Sequence, residues 1–347
     1  MLTSRARVLA AVRHELPDRV PIDAIAIENQ PELARCLGIP QDQVLEALEI
    51  DGRIVNAPYT GELLKRSTGE FLSEWGTVKS DYGTTQPHPL ADATTKAHLD
   101  AYPWPDADRY DFDEAAQVAA AQGERYALRG PYFFPLFCRL CDLFGMQEAM
   151  LRLLLQPAIF EDALERVFRY TYEHSRRLLG ACGERLPILC LGDDFATQRG
   201  MMISPAHWRK YLKPRYARLF ELGKRSGKFI WFHSCGDITA VLPDLIDIGM
   251  DVWETVQLHT LSLPAAMLKR EYGRHITFFG GVNTQRLPFA APMQVRDEVR
   301  RCIDALGKGG GYICGPDHHI KPDVSAVNTV ALFETARSYQ KQGYTGG

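Results

Sequence analysis

The stretch KFIWFHSCGDITAVLPDLIDIGMDVWETVQ, residues 228–257, reads as strand, helix and strand. Lys228-Phe229-Ile230-Trp231-Phe232 is a short apolar run of strand length, residues 238–248 are a helix candidate, and Asp251-Val252-Trp253-Glu254 is the next run. The alternation extends in both directions. Upstream lie Tyr126-Ala127-Leu128-Arg129-Gly130 and Pro187-Ile188-Leu189-Cys190-Leu191. Downstream lie Ile276-Thr277-Phe278-Phe279 and Tyr312-Ile313-Cys314. Between the runs sit helix candidates over 147–155, 159–179, 206–226, 263–272, 295–306 and 326–339. Repeated strand–helix units imply a parallel sheet. With the early run Val20-Pro21-Ile22-Asp23-Ala24-Ile25 there are seven strand candidates, and one more in the irregular first third closes a (β/α)₈ barrel. The competing architecture, a doubly wound open sheet, lacks a glycine-rich dinucleotide loop after an early strand. Residues 1–347 are expected to form a single barrel domain, with 1–120 its irregular N-terminal part. A helix is expected over 2–14, capped by Thr3 or Ser4. Residues 50–110, with Trp75, Tyr82, Tyr102 and Trp104, read as an insertion able to cover a site, and the tail 343–347 as frayed.

Barrel enzymes carry their chemistry where each strand meets its following loop. Five consecutive strands here end in polar segments: Gly192-Asp193-Asp194, His233-Ser234-Cys235-Gly236-Asp237, Glu254-Thr255-Val256-Gln257, Gly280-Gly281-Val282-Asn283-Thr284-Gln285 and Cys314-Gly315-Pro316-Asp317-His318-His319. His233 and Cys235 are two apart, so in extended chain they point the same way. Cys314 and Glu254 stand at the equivalent ends of other strands. Two thiolates, one imidazole and one carboxylate match tetrahedral zinc. The plainer alternative is that Cys235 and Cys314 are buried, inert thiols.

The bulk numbers narrow the classes. Of 347 residues, 46% are hydrophobic and 24% charged, an ordinary soluble balance. A formal net charge of -3 argues against a nucleic-acid binder and leaves no polybasic membrane patch. No stretch reads as a signal peptide or a membrane span, so a cytoplasmic protein is expected. Its eight cysteines then read as reduced thiols rather than a disulfide framework. Cys138-Arg139-Leu140-Cys141 has redox spacing but lies in apolar surroundings, which favours a buried role.

At these residues the chain resembles the uroporphyrinogen decarboxylase-like superfamily, on its corrinoid methyltransferase branch, which includes methylcobalamin:coenzyme M methyltransferases. The resemblance runs from Arg7-Val8-Leu9-Ala10-Ala11-Val12 and Pro17-Asp18-Arg19-Val20-Pro21, through Glu74-Trp75-Gly76, Gly192-Asp193-Asp194, Ser204-Pro205 and Pro214-Arg215-Tyr216, to Gly280–Gln285 and Pro322-Asp323-Val324. Its sharpest element is H-x-C-G at 233–236 with the distant Cys314. The chain is also similar to cobalamin-independent methionine synthase, which carries a zinc-binding glutamate on the strand after its H-x-C, where Glu254 stands here. The resemblance implies zinc held by His233, Cys235, Cys314 and Glu254. It also implies a corrinoid (cobalamin) brought by a separate protein, because 317–322 opens like D-x-H-x-x-G but has Pro322 in place of glycine. One departure counts against tetrapyrrole decarboxylation. The arginine-rich R-Q-A-G-R segment is missing, and Val20–Ile25 stands there without an arginine pair.

The expected reaction is methyl transfer between a small methylated substrate and the corrinoid protein, preferably O-demethylation of a methoxylated compound, aromatic ones included. Asp193, Asp194 and His318 are the candidate proton donors. Gln198, Asn283, Gln285, Tyr132 and Phe133 are the candidate substrate contacts, the last two opening an aromatic-rich run that extends to Phe144. A methylcorrinoid:thiol methyltransferase, a uroporphyrinogen-type decarboxylase and a non-catalytic zinc-binding barrel remain as alternatives. A homodimer is also open.

Overall fold

The structure is a computed structural model that describes residues 2–67, 69–79 and 85–339; Tyr82 and the tail 343–347 lie outside them. Seven strands run parallel in chain order: β1 Gly52–Ile54, β2 Ala127–Gly130, β3 Ile188–Gly192, β4 Phe229–His233, β5 Val252–Val256, β6 Thr277–Val282 and β7 Tyr312–Pro316. The run 20–25 closes the ring as an eighth stave. On one side Cys314 N donates to Pro21 O at 2.8 Å and Asp23 N to Cys314 O at 3.1 Å; on the other, Asp51 N donates to Ile22 O at 2.8 Å. The sheet is thus a (β/α)₈ barrel, and the eighth strand that the sequence left open is Gly52–Ile54.

Period-two alternation sorts the strand side chains into two layers. Ile25, Ala127, Ile188, Cys190, Trp231, Val252, Phe279 and Ile313 form an inner cluster, joined by Val8, Ala11 and Val12 of helix α1, Ser4–Val12. Helix α1 therefore plugs the barrel floor. Thr3 caps it by accepting from Ala6 N at 3.1 Å. The alternate strand residues, Leu128, Leu189, Phe232, Trp253, Phe278, Tyr312 and Cys314, face the helices.

The outer helices include α2 Phe112–Gln122, α3 Phe137–Phe144, α4 Pro157–Cys182, α5 Lys213–Arg225, α6 Leu242–Asp247, α7 Ala265–Tyr272, α8 Pro292–Leu306 and α9 Ala326–Ser338. The single helix expected over 206–226 is interrupted by a π-helical turn, Trp208–Leu212, ahead of Pro214, whose ring nitrogen has no proton to give the ladder. Cys138-x-x-Cys141 lies in α3, where Cys138 Sγ donates to Asp194 O at 3.1 Å and burial pushes both thiols up.

The aromatics of the insertion pack as core instead of lining an open pocket. Tyr110, Phe112, Phe134 and Tyr170 surround His174, with ring centroids 4.4 Å from Phe134 and 4.7 Å from Tyr110, and Trp75 packs on Tyr170. His174 is fully buried, and neither ring nitrogen has a hydrogen-bond partner. Burial pushes its pKa down to about 4 from 6.5. The unfolded chain therefore binds this proton more readily, so the stability that neutral His174 supports is present above pH 6.5 and is lost as pH falls through about 4. His174→Phe is expected to stabilise the protein by roughly 2 kcal/mol at about pH 5 and to flatten the acid limb of its stability curve. Denaturant titrations of both proteins between neutral and acid pH check this; an unchanged acid limb would refute it.

Candidate metal centre and active site

The inward-facing residues at the top of β4 and β5 are His233 and Glu254, neighbours in the strand register. Glu254 is fully buried and holds three partners. It accepts from Tyr132 Oη at 3.0 Å and from Trp231 Nε1, and its Oε1 lies 2.8 Å from His233 Nδ1. A carboxylate on Nδ1 fixes the tautomer and leaves Nε2 as a donor pair. His233 Nε2 lies 3.5 Å from Cys235 Sγ and 3.6 Å from Asp194 Oδ1. Asp194 also accepts from Cys235 N at 2.7 Å, which ties the end of β3 to the loop after β4. The ligand atoms of Asp194, His233 and Cys235 all lie within 4.8 Å of one another. Among the described residues this is the cluster of metal-ligand type.

Carboxylate oxygen, imidazole nitrogen and thiol sulfur in one cluster, with a carboxylate behind the imidazole, suit a zinc ion. Burial pushes the Cys235 thiol up, and His233 pulls it only partly back. Burial pulls the other way on His233, yet Cys235, Asp194 and Glu254 hold its pKa well above the ordinary imidazole value. Loading such a site with a cation displaces protons.

The cluster opens on a cavity of about 530 Å³ lined by Thr197, Gln198, Cys235, Gln257, Gln285 and His318, with His319 and Lys321 further out. The His318 ring centroid is 6.3 Å from that of His233, and burial pushes the His318 pKa down to about 4. Lys321 and His319 share Glu28, at 2.7 and 2.9 Å. Phe289, 87% exposed, stands at the rim.

Several candidates sit elsewhere than the sequence suggested. Cys314 follows the inward Ile313 and so faces the helices, where Tyr312 hydrogen-bonds it and Cys302 of α8 lies close. The one-residue difference in strand phase keeps it out of the His233 cluster. Glu254 stands behind His233 rather than in the ligand group, and Asp194 takes that place. Asp193 is fully buried and turned away; it accepts from Leu136 N, Phe137 N, Cys138 N and Tyr216 Oη at 2.6–3.1 Å. It therefore anchors the start of α3, and is no proton donor to the cavity. Asn283 lines a different cavity, beside His259 and Arg286, and accepts from Gln285 N at 2.9 Å. Tyr132 and Phe133 flank His233, with the Phe133 ring edge-on at 5.3 Å. Phe133 adopts φ of 54°, rare for a side chain of this size.

The sequence model of the uroporphyrinogen decarboxylase (URO-D) family matches residues 131–339, more than half of the chain. The chain belongs to the uroporphyrinogen decarboxylase family. A methyltransferase from Methanosarcina mazei is 18% identical and has a TM-score of 0.67, over 97% of this chain and 98% of that one. A B12-independent methionine synthase from Shewanella is 14% identical over 65% of each chain, with a TM-score of 0.45. A search of curated protein sequences returns no match. Within this family framework, the matched residues contain the whole Asp194–His233–Cys235 cluster and its supports Tyr132, Trp231 and Glu254. Among the described residues no helix is long and apolar enough to cross a membrane.

Trp231 and Gln257 escaped the sequence reading as site residues. Trp231 precedes His233 by two, so the same alternation that pairs His233 with Cys235 puts it on the inner face. Gln257 Oε1 accepts from Gly236 N at 2.8 Å and fixes the turn after Cys235. Glu254→Gln keeps the shape of the side chain but removes the charge behind His233. Zinc affinity is expected to fall by roughly 10–100-fold, read by competition with a chelator. Unchanged affinity would show that Glu254 does not orient the ligand.

Proposed function

We propose that this chain is a zinc-dependent methyltransferase that moves a methyl group between a small methylated substrate and a corrinoid carried by a separate protein. The observation that carries the reading is a carboxylate–imidazole–thiol cluster at adjacent strand ends, open to a polar cavity. Asp194, His233 and Cys235 would hold the ion, with His318 beside them. Zinc in such a site acts as a Lewis acid that turns an oxygen or thiol into a better leaving group or nucleophile. Glu254, held by Tyr132 and Trp231, keeps His233 aimed. Gln198 and Gln285 hydrogen-bond the substrate, and His318, neutral at ordinary pH because it is buried, exchanges the proton at the departing or attacking atom.

O-demethylation remains the preferred direction, with a change of substrate class. The aromatic residues that favoured a methoxyarene are divided, with Phe134 packed on His174, Trp75 on Tyr170, and Tyr132 and Phe133 beside His233, whereas Gln198, Gln257, Gln285, His319 and Lys321 line the cavity. A small, polar, methoxylated compound suits that lining better than a bare arene. Decarboxylation of a tetrapyrrole is disfavoured because no arginine among the described residues lines the cavity to meet its carboxylates.

The test is incubation with a Co(I) corrinoid protein and a panel of polar methyl ethers, methoxyarenes, methanol, methylamines and methyl thioethers. Methyl-Co(III) absorbance that forms with a polar ether and vanishes in Cys235→Ala is the expected result. Thiol methylation from methyl-Co(III), with the panel inert, would overturn the direction. Carbon dioxide release from uroporphyrinogen without methyl transfer would overturn the reading.

A further inference from the structure

The barrel floor, at the end opposite the metal-ligand cluster, holds an amine that the cluster does not use. Lys269 stands in the last turn of α7, and its side chain runs toward the glycine turn 309–311 that leads into β7. Two glycines clear its path. A Cβ at Gly273 would lie 2.5 Å from Lys269 Cδ. A Cβ at Gly311 would lie 3.4 Å from Lys269 Nζ and 2.6 Å from His14 Nδ1, so the amine and the imidazole meet over the same glycine. His14 reaches this place through an uncommon backbone, with φ of 60°, just past the helix that plugs the floor.

The amine has little to hold its proton. Nζ donates to Gly310 O at 2.5 Å and lies 5.8 Å over the buried Phe278 ring. Among the described residues it has no carboxylate partner, whereas Lys224 on the same floor is paired with Asp251 at 2.5 Å. A half-buried ammonium without a counter-ion gives up its proton more readily than an exposed one. Burial pushes the Lys269 amine down to about 8 from 10.5. The charged and titratable groups that reach His14 are Lys269, Asp251 and His275. Burial lowers its pKa, and Lys269 lowers it further, so the imidazole is neutral and open to a proton. A neutral amine beside a neutral imidazole is a nucleophile with its base.

We propose that Lys269 is a site of reversible carbamylation, with carbon dioxide as the electrophile and His14 as the proton acceptor. The Nζ lone pair forms a bond to the carbon of carbon dioxide while one carbon–oxygen π bond opens onto oxygen. One N–H proton leaves to His14, and the products are a carbamate anion and an imidazolium, so charge balances. The carbamate keeps an N–H for Gly310 O and sets its anionic end beside His14. Asp251, the other acid near His14, is already engaged by Lys224. A neutral acyl group would leave the imidazolium without a counter-ion. The site does not depend on the reading of the metal-ligand cluster.

Equilibration of the full chain with isotope-labelled carbon dioxide, near the pH at which half of this amine is neutral, tests this. Carbamates are observed by NMR, locked as esters with triethyloxonium and located by peptide mapping. The label is expected on the Lys269 peptide, at an occupancy roughly tenfold or more above any exposed lysine, whose ordinary pKa leaves far less neutral amine. Lys269→Arg should lose the signal, His14→Phe should lower it, and Cys235→Ala should leave it unchanged. The mapping needs no variant, so a poorly folded Lys269→Arg does not spoil it. The proposal fails if the parent forms no carbamate, or if the label sits on the N-terminal amine or another lysine while Lys269 stays bare. Full carbamylation of His14→Phe would refute the role of His14.

Discussion

Cys235→Ala and His233→Ala are expected to lose their zinc, while Cys314→Ala keeps a full complement. The contrast follows from strand phase. His233 sits on the inner face of β4, and Cys235, just past the strand end, turns back so that its sulfur lies 3.5 Å from Nε2. Cys314 lies on the outer face of β7, beside Tyr312 and Cys302. Removing a direct donor leaves two of three side chains in the cluster. The affinity loss should exceed the roughly 10–100-fold that removal of an outer support costs. Asp194→Ala belongs with the losing variants, since its Oδ1 completes the group. Elemental analysis after dialysis against a chelator, with folding verified by circular dichroism, reads the result directly. Zinc retained in both Cys235→Ala and His233→Ala would remove the metal centre. Zinc lost from Cys314→Ala would mean that β7 rotates to bring its outer face to the site.

Asp23→Leu is expected to cost about 3–5 kcal/mol of folding stability, the usual consequence of stranding one member of a buried ion pair. Asp23 and Arg129 are each 1% exposed, and the carboxylate meets Arg129 Nη1. Burial alone would lower the Arg129 pKa, but Asp23 and Glu254 more than offset this and hold the guanidinium charged. Without Asp23, that charge faces the barrel interior with Nε already unpaired. The double variant Asp23→Leu/Arg129→Met removes both charges and should recover most of the loss, because hydrophobic replacement of a whole buried pair is often neutral or stabilising. Urea titrations of the parent, both single variants and the double variant give the coupling energy. Equal stability of Asp23→Leu and the parent would show that the pair contributes nothing to closing the barrel. A double variant as unstable as the single one would instead assign the cost to lost packing between stave 20–25 and β1.

The short apolar runs and their helical spacers determined the barrel, and the position of polar residues after each run determined which end carries chemistry. Local physics is enough for this, since a buried parallel strand must be apolar throughout and its loop must be polar. His233 and Cys235 were legible together because the two-residue spacing holds whatever surrounds them. Cys314 and Glu254 were not, because their placement depends on strand phase relative to β4, which is set by packing. Ile313 took the inner layer with Trp231 and Val252 and so turned Cys314 outward; Trp231 and Tyr132 captured the Glu254 carboxylate and set it behind His233. Asp193 and Asp194 are adjacent and chemically identical. Only the tertiary structure separates them, by offering one the amides at the start of α3 and the other Cys235 and His233. The aromatic residues of the first third were ambiguous for a similar reason. Composition does not say whether rings line a cavity or fill one, and here His174 and its neighbours fill it. The join between stave 20–25 and β1 left no sequence signal, since its backbone hydrogen bond and the unpaired Arg129 Nε exist only once the ring has closed.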